Sequence, residues 1–411
     1  MKYGLIGGRL AHSHSPAIHH MLAEYEYALY PLTPDELPGF LRGPDIGGLN
    51  VTIPYKVEVM KYCAALTGEA QRIGSVNTLL YDRTRRRITG HNTDYNGFLY
   101  LVGRAGLALK DRKVVILGSG GTSRTVCVAA QDAGAREIVT VSRQGENNYR
   151  NIRLHADADI LVNTTPVGMY PEMNACPVEL DLFDRLAGVL DVVYNPLNTR
   201  LVLEARDRGI RAEGGLAMLV AQAHAAAELF SVKRIPRERI EEIIEALSKA
   251  FSNIVLIGMP GAGKTEIGRR LSERTGRPFF DTDALVEREA GMSIPDLFAL
   301  EGEAGFRARE EAAVAEAARE GGRIIATGGG APMFKENRTL LRQNGRIFHI
   351  ERDLEELPTK GRPLSKNLAA MYETRAPVYR ALAEKSIKNA GTADEAADAV
   401  LRAFEKEGGR I

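Results

Sequence analysis

The 411-residue sequence predicts an α/β protein with parallel sheets and more than one domain. Short apolar runs alternate with helical patterns along most of the chain. Two of these runs, 113–117 and 253–257, are each followed by a Gly-rich turn and a helical pattern. A strand, a Gly-rich turn and a helix in that order are typical of nucleotide-binding sheets. The chain therefore holds two candidate nucleotide sites.

The individual elements follow from periodicity and turn residues. The predicted strands are 3–6, 48–51, 74–81, 113–117, 137–142, 160–163, 189–193, 253–257, 277–283 and 323–326. The predicted helices are 15–25, 122–134, 218–230, 237–251 and 266–274. Helix 237–251 carries Ile240, Ile243 and Ile244 on one face and leads into strand 253–257 without a flexible linker. Alternation of strands and helices throughout predicts parallel sheets.

These elements group into three domains. The first covers 1–98, with 216–250 returning to it, and the second covers 99–215. The third covers 253–411.

Composition argues against several classes of function. A net charge of +1 gives no electrostatic reason to bind nucleic acid or an anionic membrane, and no apolar run approaches the roughly 20 residues of a membrane span. The first residues are typical of a strand and not of a signal peptide. Cys63, Cys127 and Cys176 are odd in number and far apart, as expected of reduced thiols in a cytoplasmic protein.

Residues 258–265, Gly-Met-Pro-Gly-Ala-Gly-Lys-Thr, form a complete phosphate-binding loop in its usual context. Backbone N–H groups of Gly261, Ala262 and Gly263 can point at phosphate oxygens. Lys264 can reach the β- and γ-phosphates, and the Thr265 hydroxyl can hold Mg²⁺.

The turn after strand 113–117 resembles a dinucleotide fingerprint in which Ser123 replaces the third glycine. A Gly-rich turn alone is also common in proteins that bind no nucleotide. The next strand ends in Ser142 and Arg143, where an enzyme that uses NADH would carry an acid for the ribose hydroxyls. A hydroxyl and a guanidinium suit a 2′-phosphate, which favours NADPH. The expected contacts are Gly118, Gly120, Gly121, Thr122, Ser142 and Arg143.

A helix start near Ser15 offers hydroxyls that could bind a carboxylate, although Ser15 could also serve only as a helix cap. The neighbouring histidines 12, 14, 19 and 20 lack a Cys or Asp cluster, so a metal site is not expected there.

Several separated motifs in the first 250 residues together resemble shikimate dehydrogenase. They are 13–16 (Ser-His-Ser-Pro), 50–56 (Asn-Val-Thr-Ile-Pro-Tyr-Lys), 76–78 (Val-Asn-Thr), 92–94 (Asn-Thr-Asp), 118–121 (Gly-Ser-Gly-Gly), 163–169 (Asn-Thr-Thr-Pro-Val-Gly-Met), 191–196 (Asp-Val-Val-Tyr-Asn-Pro) and 215–223 (Gly-Leu-Ala-Met-Leu-Val-Ala-Gln-Ala). The resemblance implies that Lys56 and Asp94 are the catalytic pair. It implies substrate contacts from Ser13, Ser15, Thr52, Asn77, Tyr194 and Gln222, with Gly215 near the nicotinamide.

After the phosphate-binding loop, the predicted strand 277–283 ends in Asp281 and Asp283, which alternate and therefore share a face. Asp283 alone could also simply cap the next helix. With 302–307, 328–330, 362–364 and 375–380, this part resembles shikimate kinase over about 253–411. The resemblance implies that Asp281 supports the metal shell and that Asp283 binds the attacking hydroxyl. Carboxylate contacts from Arg307 and Arg375, backbone contacts from Gly329 and Gly330, and a lid cation at Arg362 are also implied.

The combined resemblances imply an N-terminal α/β substrate domain, a Rossmann-like NADP domain and a P-loop domain like the nucleoside monophosphate kinases. The implied function is reduction of 3-dehydroshikimate with NADPH, then phosphorylation of shikimate by ATP and Mg²⁺. One alternative is a P-loop domain that only binds nucleotide and regulates the dehydrogenase; another is an NAD-dependent quinate-type dehydrogenase, against which Arg143 argues. Compared with the shikimate kinases that this part resembles, the segment before Arg362 is short and lacks an arginine that could stack on adenine.

Overall fold

The computed structural model describes residues 1–10, 13–43, 45–82, 84–85, 87–357 and 368–406. The chain divides into two compact units. The first contains Met1–Val167, Cys176–Asn195 and Glu204–Ala246, and the second contains Gly168–Ala175, Pro196–Leu203 and Leu247–Ile411.

The first unit begins with a six-stranded sheet. Its strands are β1 Lys2–Gly7, β2 Tyr27–Pro31, β3 Ile46–Val51, β4 Ala65–Leu66, β5 Thr78–Asp82 and β6 Arg87–His91. The helices of this region are α1 Ser15–Leu22, α2 Leu37–Leu41, α3 Gly68–Ile73 and α4 Asp94–Arg104. In the sheet the strands lie in the order β2-β1-β3-β5-β6-β4.

This first sheet is mixed, so the prediction of parallel sheets throughout was wrong here. Strand β5 pairs antiparallel with both β3 and β6. Strand β5 ends at Asp82 and β6 begins at Arg87, so the connection has the length of a hairpin turn, and the Asp82 side chain accepts from the backbone N–H groups of Thr84 and Arg85. Such a turn joins neighbouring antiparallel strands, whereas a parallel pair needs a longer crossover.

A second, fully parallel sheet follows in the same unit. Its strands β7 Lys113–Leu117, β8 Glu137–Val141, β9 Ile160–Asn163, β10 Gly188–Asp191 and β11 Arg211–Glu213 lie in the order β11-β10-β9-β7-β8. Helix α5 spans Gly121–Asp132 and α6 spans Arg200–Asp207. Every residue of β7 is buried, as expected for a central strand covered on both faces.

The two helices that follow the second sheet contact helices of the first region. Helix α7, Leu216–Ser231, packs against α4 and α1. Helix α8 spans Glu238–Phe251, and its residues Ile240, Ile243 and Ile244 are buried. This confirms the apolar face that the sequence predicts for α8.

The second unit is built on a parallel five-stranded sheet. Its strands β12 Asn253–Ile257, β13 Phe279–Asp281, β14 Ile324–Ala326, β15 Gly345–Glu351 and β16 Lys385–Lys388 lie in the order β13-β14-β12-β15-β16. Its helices are α9 Lys264–Thr275, α10 Thr282–Ala290, α11 Ile294–Ala318, α12 Lys335–Asn344, α13 Leu368–Leu382 and α14 Ala393–Lys406. Helix α11 is kinked at Gly302, whose φ of 69° is not helical. These sheets confirm the predicted α/β class.

Across the parts of the chain that the structure describes, no helix combines the length and the apolar character needed to cross a membrane.

Candidate active sites

The first unit contains a cavity of about 980 Å³ into which most of the site residues predicted within the first 250 residues converge. Although they come from segments far apart in the sequence, ten of them line this one cavity: Ser13, Ser15, Thr52, Lys56, Asn77, Asp94, Thr122, Tyr194, Gly215 and Gln222. The cavity therefore joins the implied substrate contacts to the start of α5, where a dinucleotide is expected.

An ion pair lies in the wall of this cavity. Lys56 follows β3 and Asp94 begins α4, and the Lys56 Nζ atom is 2.7 Å from Asp94 Oδ2. Both side chains remain partly accessible, with 19% and 12% exposed. The pair can therefore reach a small molecule in the cavity while each charge compensates the other.

Asn77 fixes the second oxygen of the Asp94 carboxylate. Its Nδ2 donates to Asp94 Oδ1 at 2.9 Å, and its Oδ1 accepts from the Thr93 backbone N–H at 2.7 Å. Because a backbone N–H can only donate, the orientation of this amide is determined and its Nδ2 must face Asp94. Asp94 is thus held on both oxygens by side chains of the protein itself.

Further polar residues that the sequence analysis missed support this arrangement. Tyr27 donates to Asn50 Oδ1 at 2.8 Å, and Asn50 Nδ2 donates to Thr78 Oγ1 at 3.0 Å. Thr78 in turn donates to Asn77 Oδ1 at 3.0 Å. Asn50 opens the Asn-Val-Thr motif and Thr78 closes Val-Asn-Thr, so the motifs themselves were a usable signal, whereas nothing near Tyr27 in sequence marked it.

The prediction that Ser15 caps α1 was wrong. His14 precedes the helix without a side-chain cap bond, and Ser15 is its first residue. The Ser15 hydroxyl instead accepts from Ser13 Oγ at 3.2 Å, and both hydroxyls line the cavity.

Of the nearby histidines, those that the structure describes belong to no group that could hold a metal. His12 lies outside the described residues. His19 is fully buried, stacks on the Tyr27 ring at 3.9 Å, and shares a hydrogen bond of 2.7 Å with the Tyr25 hydroxyl. Burial lowers the pKa of His19 to about 3, so it is neutral at physiological pH. Within the described ranges, no three His, Cys, Asp or Glu side chains form a group that could hold a metal.

The turn between β7 and α5 fits a dinucleotide phosphate. Gly118 has a φ of 110°, and a Cβ there would lie 2.7 Å from Thr164 Oγ1, so only glycine is accommodated. Helix α5 starts after Gly120 without a side-chain cap, which leaves N–H groups for an anion. Gly121, the first residue of α5, approaches the Lys56 side chain.

Ser142 and Arg143 lie apart from that cavity, at the end of β8. Together with Ser119 and Gln144 they line a separate pocket of about 330 Å³. The two predicted cofactor contacts are thus brought together beside the Gly-rich turn. A serine hydroxyl and an exposed guanidinium suit the 2′-phosphate of NADP, whereas the pocket lining has no carboxylate for a ribose diol.

In the second unit, the phosphate-binding loop has the conformation that its sequence predicts. Gly261 and Gly263 have φ values of 87° and 95°, which favour glycine. Helix α9 begins after Gly263 with no side-chain cap, so its first N–H groups are available to phosphate. Lys264 is 8% exposed, and its Nζ donates at 2.9 Å to the carbonyl oxygens of Gly258 and Met259.

Thr265 and Asp281 lie together beside this loop. Thr265 Oγ1 donates to Asp281 Oδ2 at 2.7 Å, and Asp281 Oδ1 accepts from the Asp283 N–H at 3.0 Å. This carboxylate therefore caps α10 and directs the Thr265 lone pairs away from itself. One hydroxyl and one carboxylate, completed by nucleotide oxygens and water, suit the octahedral coordination of Mg²⁺.

A cluster of charged residues surrounds the Gly328–Gly330 turn. A Cβ at Gly328 would meet Asp283 Oδ1 at 2.4 Å, and one at Gly330 would meet Arg307 Nη1 at 2.8 Å. The turn must therefore be glycine for these two side chains to approach its backbone. The Tyr379 hydroxyl donates to the Gly329 carbonyl.

Glu310 completes this cluster and was missed by the sequence analysis. It is 1% exposed and accepts from Arg307 Nη1 at 2.7 Å. Burial raises its pKa, which Arg307 opposes. Arg307 and Glu310 are three residues apart on α11, a spacing that would have indicated the pair.

Arg375 lies on α13 near the same cluster. Its positive charge acts to lower the pKa of Glu310, against the effect of burial, and its side chain forms a hydrogen bond with Tyr379. Burial raises the pKa of Tyr379 to about 12, so this phenol stays protonated. The predicted lid cation Arg362 lies outside the described residues.

The chain is similar to known proteins in both parts. Residues 5–79 match the family model for the shikimate dehydrogenase substrate binding domain, and residues 260–405 match that for shikimate kinase. The shikimate dehydrogenase (NADP(+)) of Clostridium beijerinckii is 35% identical over 269 residues, which cover 61% of this chain and 98% of that protein.

Solved structures match the first part of the chain. A chorismate mutase/shikimate 5-dehydrogenase fusion protein from Clostridium acetobutylicum is 36% identical with a TM-score of 0.57, over 60% of this chain and 97% of that one. Shikimate 5-dehydrogenase from Thermus thermophilus, solved with NADP(H) and shikimate, is 31% identical with a TM-score of 0.55, over 60% and 99% of the two chains.

Proposed function

We propose two consecutive reactions for this chain, which belongs to the shikimate dehydrogenase family and carries a shikimate kinase domain after it. The first part reduces 3-dehydroshikimate to shikimate with NADPH. The second part transfers a phosphoryl group from ATP to shikimate and forms shikimate 3-phosphate. Because the product of one part is the substrate of the other, the chain serves the biosynthesis of aromatic amino acids.

The Lys56–Asp94 pair in the large cavity carries the dehydrogenase proposal. Reduction of a ketone adds hydride to carbon and a proton to the developing alkoxide oxygen. NADPH, when bound, supplies the hydride. We assign the proton to the Lys56 ammonium, which also stabilises the negative oxygen, and Lys56 then regains a proton from solvent. Asp94, held by Asn77, orients the ammonium and accepts from a substrate hydroxyl.

The other cavity residues are proposed to hold 3-dehydroshikimate, which accepts the hydride. Ser13 and Ser15 offer hydroxyl donors to its carboxylate, with Tyr194 near them in the lining. Thr52, Asn77 and Gln222 supply donors and acceptors for its ring hydroxyls. Thr122 and Gly215 lie where the dinucleotide meets the acceptor. Ser142 and Arg143, in their separate pocket, are proposed to select NADPH over NADH.

The kinase proposal rests on the charged cluster around the Gly328–Gly330 turn, which is proposed to bind shikimate beside an intact phosphate-binding loop. Asp283 accepts the proton of the attacking hydroxyl, and Arg307 and Arg375 bind the acceptor carboxylate. Lys264 and the N–H groups of 261–263 stabilise charge on the phosphates, with Thr265 and Asp281 as the Mg²⁺ side of the site. Gly329 and Gly330 bring their backbone close to the acceptor, and Arg362 is proposed as the lid cation.

This cluster disfavours the regulatory alternative for the second part. A domain that only senses nucleotide has no use for a buried Glu310 that positions Arg307 opposite Asp283. We therefore propose catalysis in both parts.

The partners we propose are small molecules, and the location we propose is the cytoplasm. Cys63, Cys127 and Cys176 all lie in stretches that the structure describes, and no disulfide joins them. Thiols in this state are typical of a reducing compartment.

The deciding experiment mixes the protein with 3-dehydroshikimate, NADPH and ATP–Mg²⁺ and detects shikimate 3-phosphate by mass spectrometry. Lys56→Ala should abolish NADPH oxidation and leave phosphorylation of added shikimate within a few-fold. Lys264→Ala should do the reverse. If either substitution removes both activities from a folded protein, the assignment of two separate sites is wrong.

A further inference from the structure

A buried amide outside the proposed catalytic set contacts the phosphate-binding loop. Asn389 directly follows β16 and is 7% exposed. Its backbone N–H donates to the Glu351 carbonyl at 2.8 Å, which fixes its place next to β15. Its side-chain Nδ2 donates to the Ala262 carbonyl oxygen, also at 2.8 Å.

The same amide fills the space beside Gly263. A Cβ on Gly263 would lie only 2.6 Å from Asn389 Nδ2, and Gly263 has a φ of 95°. Gly263 is therefore required both by its backbone conformation and by the amide that packs on it. The Asn389 side chain thus both packs on Gly263 and hydrogen-bonds Ala262.

The bond to Ala262 has a geometric consequence for the loop. A trans peptide is planar, and its carbonyl and N–H point in opposite directions. When Asn389 holds the Ala262 carbonyl, it also sets the direction of the Gly263 N–H, on the opposite edge of the same plane. That N–H is one of those proposed to meet phosphate oxygens at the start of α9.

We propose that Asn389 is a positioning residue for nucleotide phosphate, acting through the peptide between Ala262 and Gly263. The inference rests on the proposed kinase function and deepens it. Because the bond from the Asn389 side chain goes to the backbone of the loop, we expect its effect to fall on phosphate geometry and to be the same for every purine base. ATP and GTP should therefore be affected equally.

A purely structural role is less consistent with the contacts. The next helix, α14, does not depend on this side chain at its start: Thr392 and Glu395 cap each other there, with Thr392 N–H to Glu395 Oε2 at 2.8 Å and Glu395 N–H to Thr392 Oγ1 at 3.2 Å. The backbone bond to Glu351 is independent of the side chain. A substitution that keeps the size of Asn389 should thus leave the surrounding fold in place.

The test compares Asn389→Asp and Asn389→Ala with Lys388→Ala. Asp keeps the shape of Asn but presents an acceptor to the Ala262 carbonyl. Lys388 is the preceding residue, is exposed, and pairs at the surface with Asp353 at 3.1 Å, which makes it a matched control. Calorimetric titration with ADP–Mg²⁺ and GDP–Mg²⁺ measures affinity without turnover. Thermal unfolding of each variant reports whether the second unit is folded, and the dehydrogenase activity of the same chain gives the concentration of intact protein.

We expect the Kd for both nucleotides to rise at least about tenfold in Asn389→Asp and less in Asn389→Ala, with Lys388→Ala unchanged. In the kinase assay, the KM for ATP should rise while that for shikimate stays within about twofold. Affinities within twofold of the wild type in both Asn389 variants would overturn the inference. So would a loss confined to ADP. A wild-type chain that binds ADP but forms no shikimate 3-phosphate would refute the kinase function, and the titrations would still decide the role of Asn389.

Discussion

Substituting Asn77 by alanine should slow the dehydrogenase reaction by a predictable amount. The Asn77 amide donates to one oxygen of Asp94 at 2.9 Å, while Lys56 binds the other at 2.7 Å. A hydrogen bond to a charged group contributes about 1.5–3 kcal/mol. With about 1.4 kcal/mol for each tenfold change in rate, kcat/KM for 3-dehydroshikimate should fall by roughly ten- to a hundred-fold.

The measurement is steady-state oxidation of NADPH, with phosphorylation of added shikimate as a control in the same chain. The KM for NADPH should be little changed, since Asn77 touches Asp94 and not the Gly-rich turn. The variant also leaves the Thr93 N–H without its acceptor, so thermal stability should decrease. A fall of less than threefold in a folded variant would mean that Asn77 does not position Asp94. An equal loss of kinase activity would mean general unfolding.

Three other outcomes can be measured on the same protein. Arg143→Ala should raise the KM for NADPH by roughly ten- to a hundred-fold and leave use of NADH nearly unchanged; equal damage to both would make Arg143 structural. Arg307→Ala and Arg375→Ala should each raise the KM for shikimate far more than that for ATP, and the opposite pattern would place that arginine on the nucleotide side. Because the folded-state pKa of His19 is lowered from 6.5 to about 3, the unfolded chain binds a proton in this interval that the folded chain does not. Unfolding free energy should therefore fall as pH drops from 6.5, by up to about 1.4 kcal/mol per pH unit, and His19→Gln should remove that slope in a denaturant titration at several pH values.

The sequence predicted best those elements whose signal is local. Strands β7 and β12 are buried apolar runs with a glycine turn behind them, and each was found where predicted. The first sheet was predicted less well, because strand direction depends on the connection and not on the strand. Between the antiparallel strands β5 and β6, Asp82 accepts from the backbone N–H groups of Thr84 and Arg85, and no apolar periodicity predicts such a connection.

The site residues show a similar division. The motifs bring Lys56, Asn77 and Asp94 to attention as separate short segments, and the structure gathers them around one cavity. Supporting residues outside the motifs are harder to find. Tyr27 binds Asn50 and, in the second unit, Asn389 binds Ala262, and hydrogen bonds between residues so distant in sequence leave no pattern at short spacing.

The hydrogen bonds between Lys264 and the backbone of the phosphate-binding loop have a practical consequence for inhibition. The Lys264 ammonium donates to the carbonyl oxygens of Gly258 and Met259, which replace part of the hydration that this buried charge loses. A small anion such as sulfate gains its bonds to the ammonium and to the N–H groups of the loop, less any carbonyl bond that the ammonium gives up to reach it. Simple phosphate mimics should therefore bind less tightly than the number of their contacts suggests. Compounds that fill the acceptor side near Arg307 and leave the ammonium in place avoid this exchange.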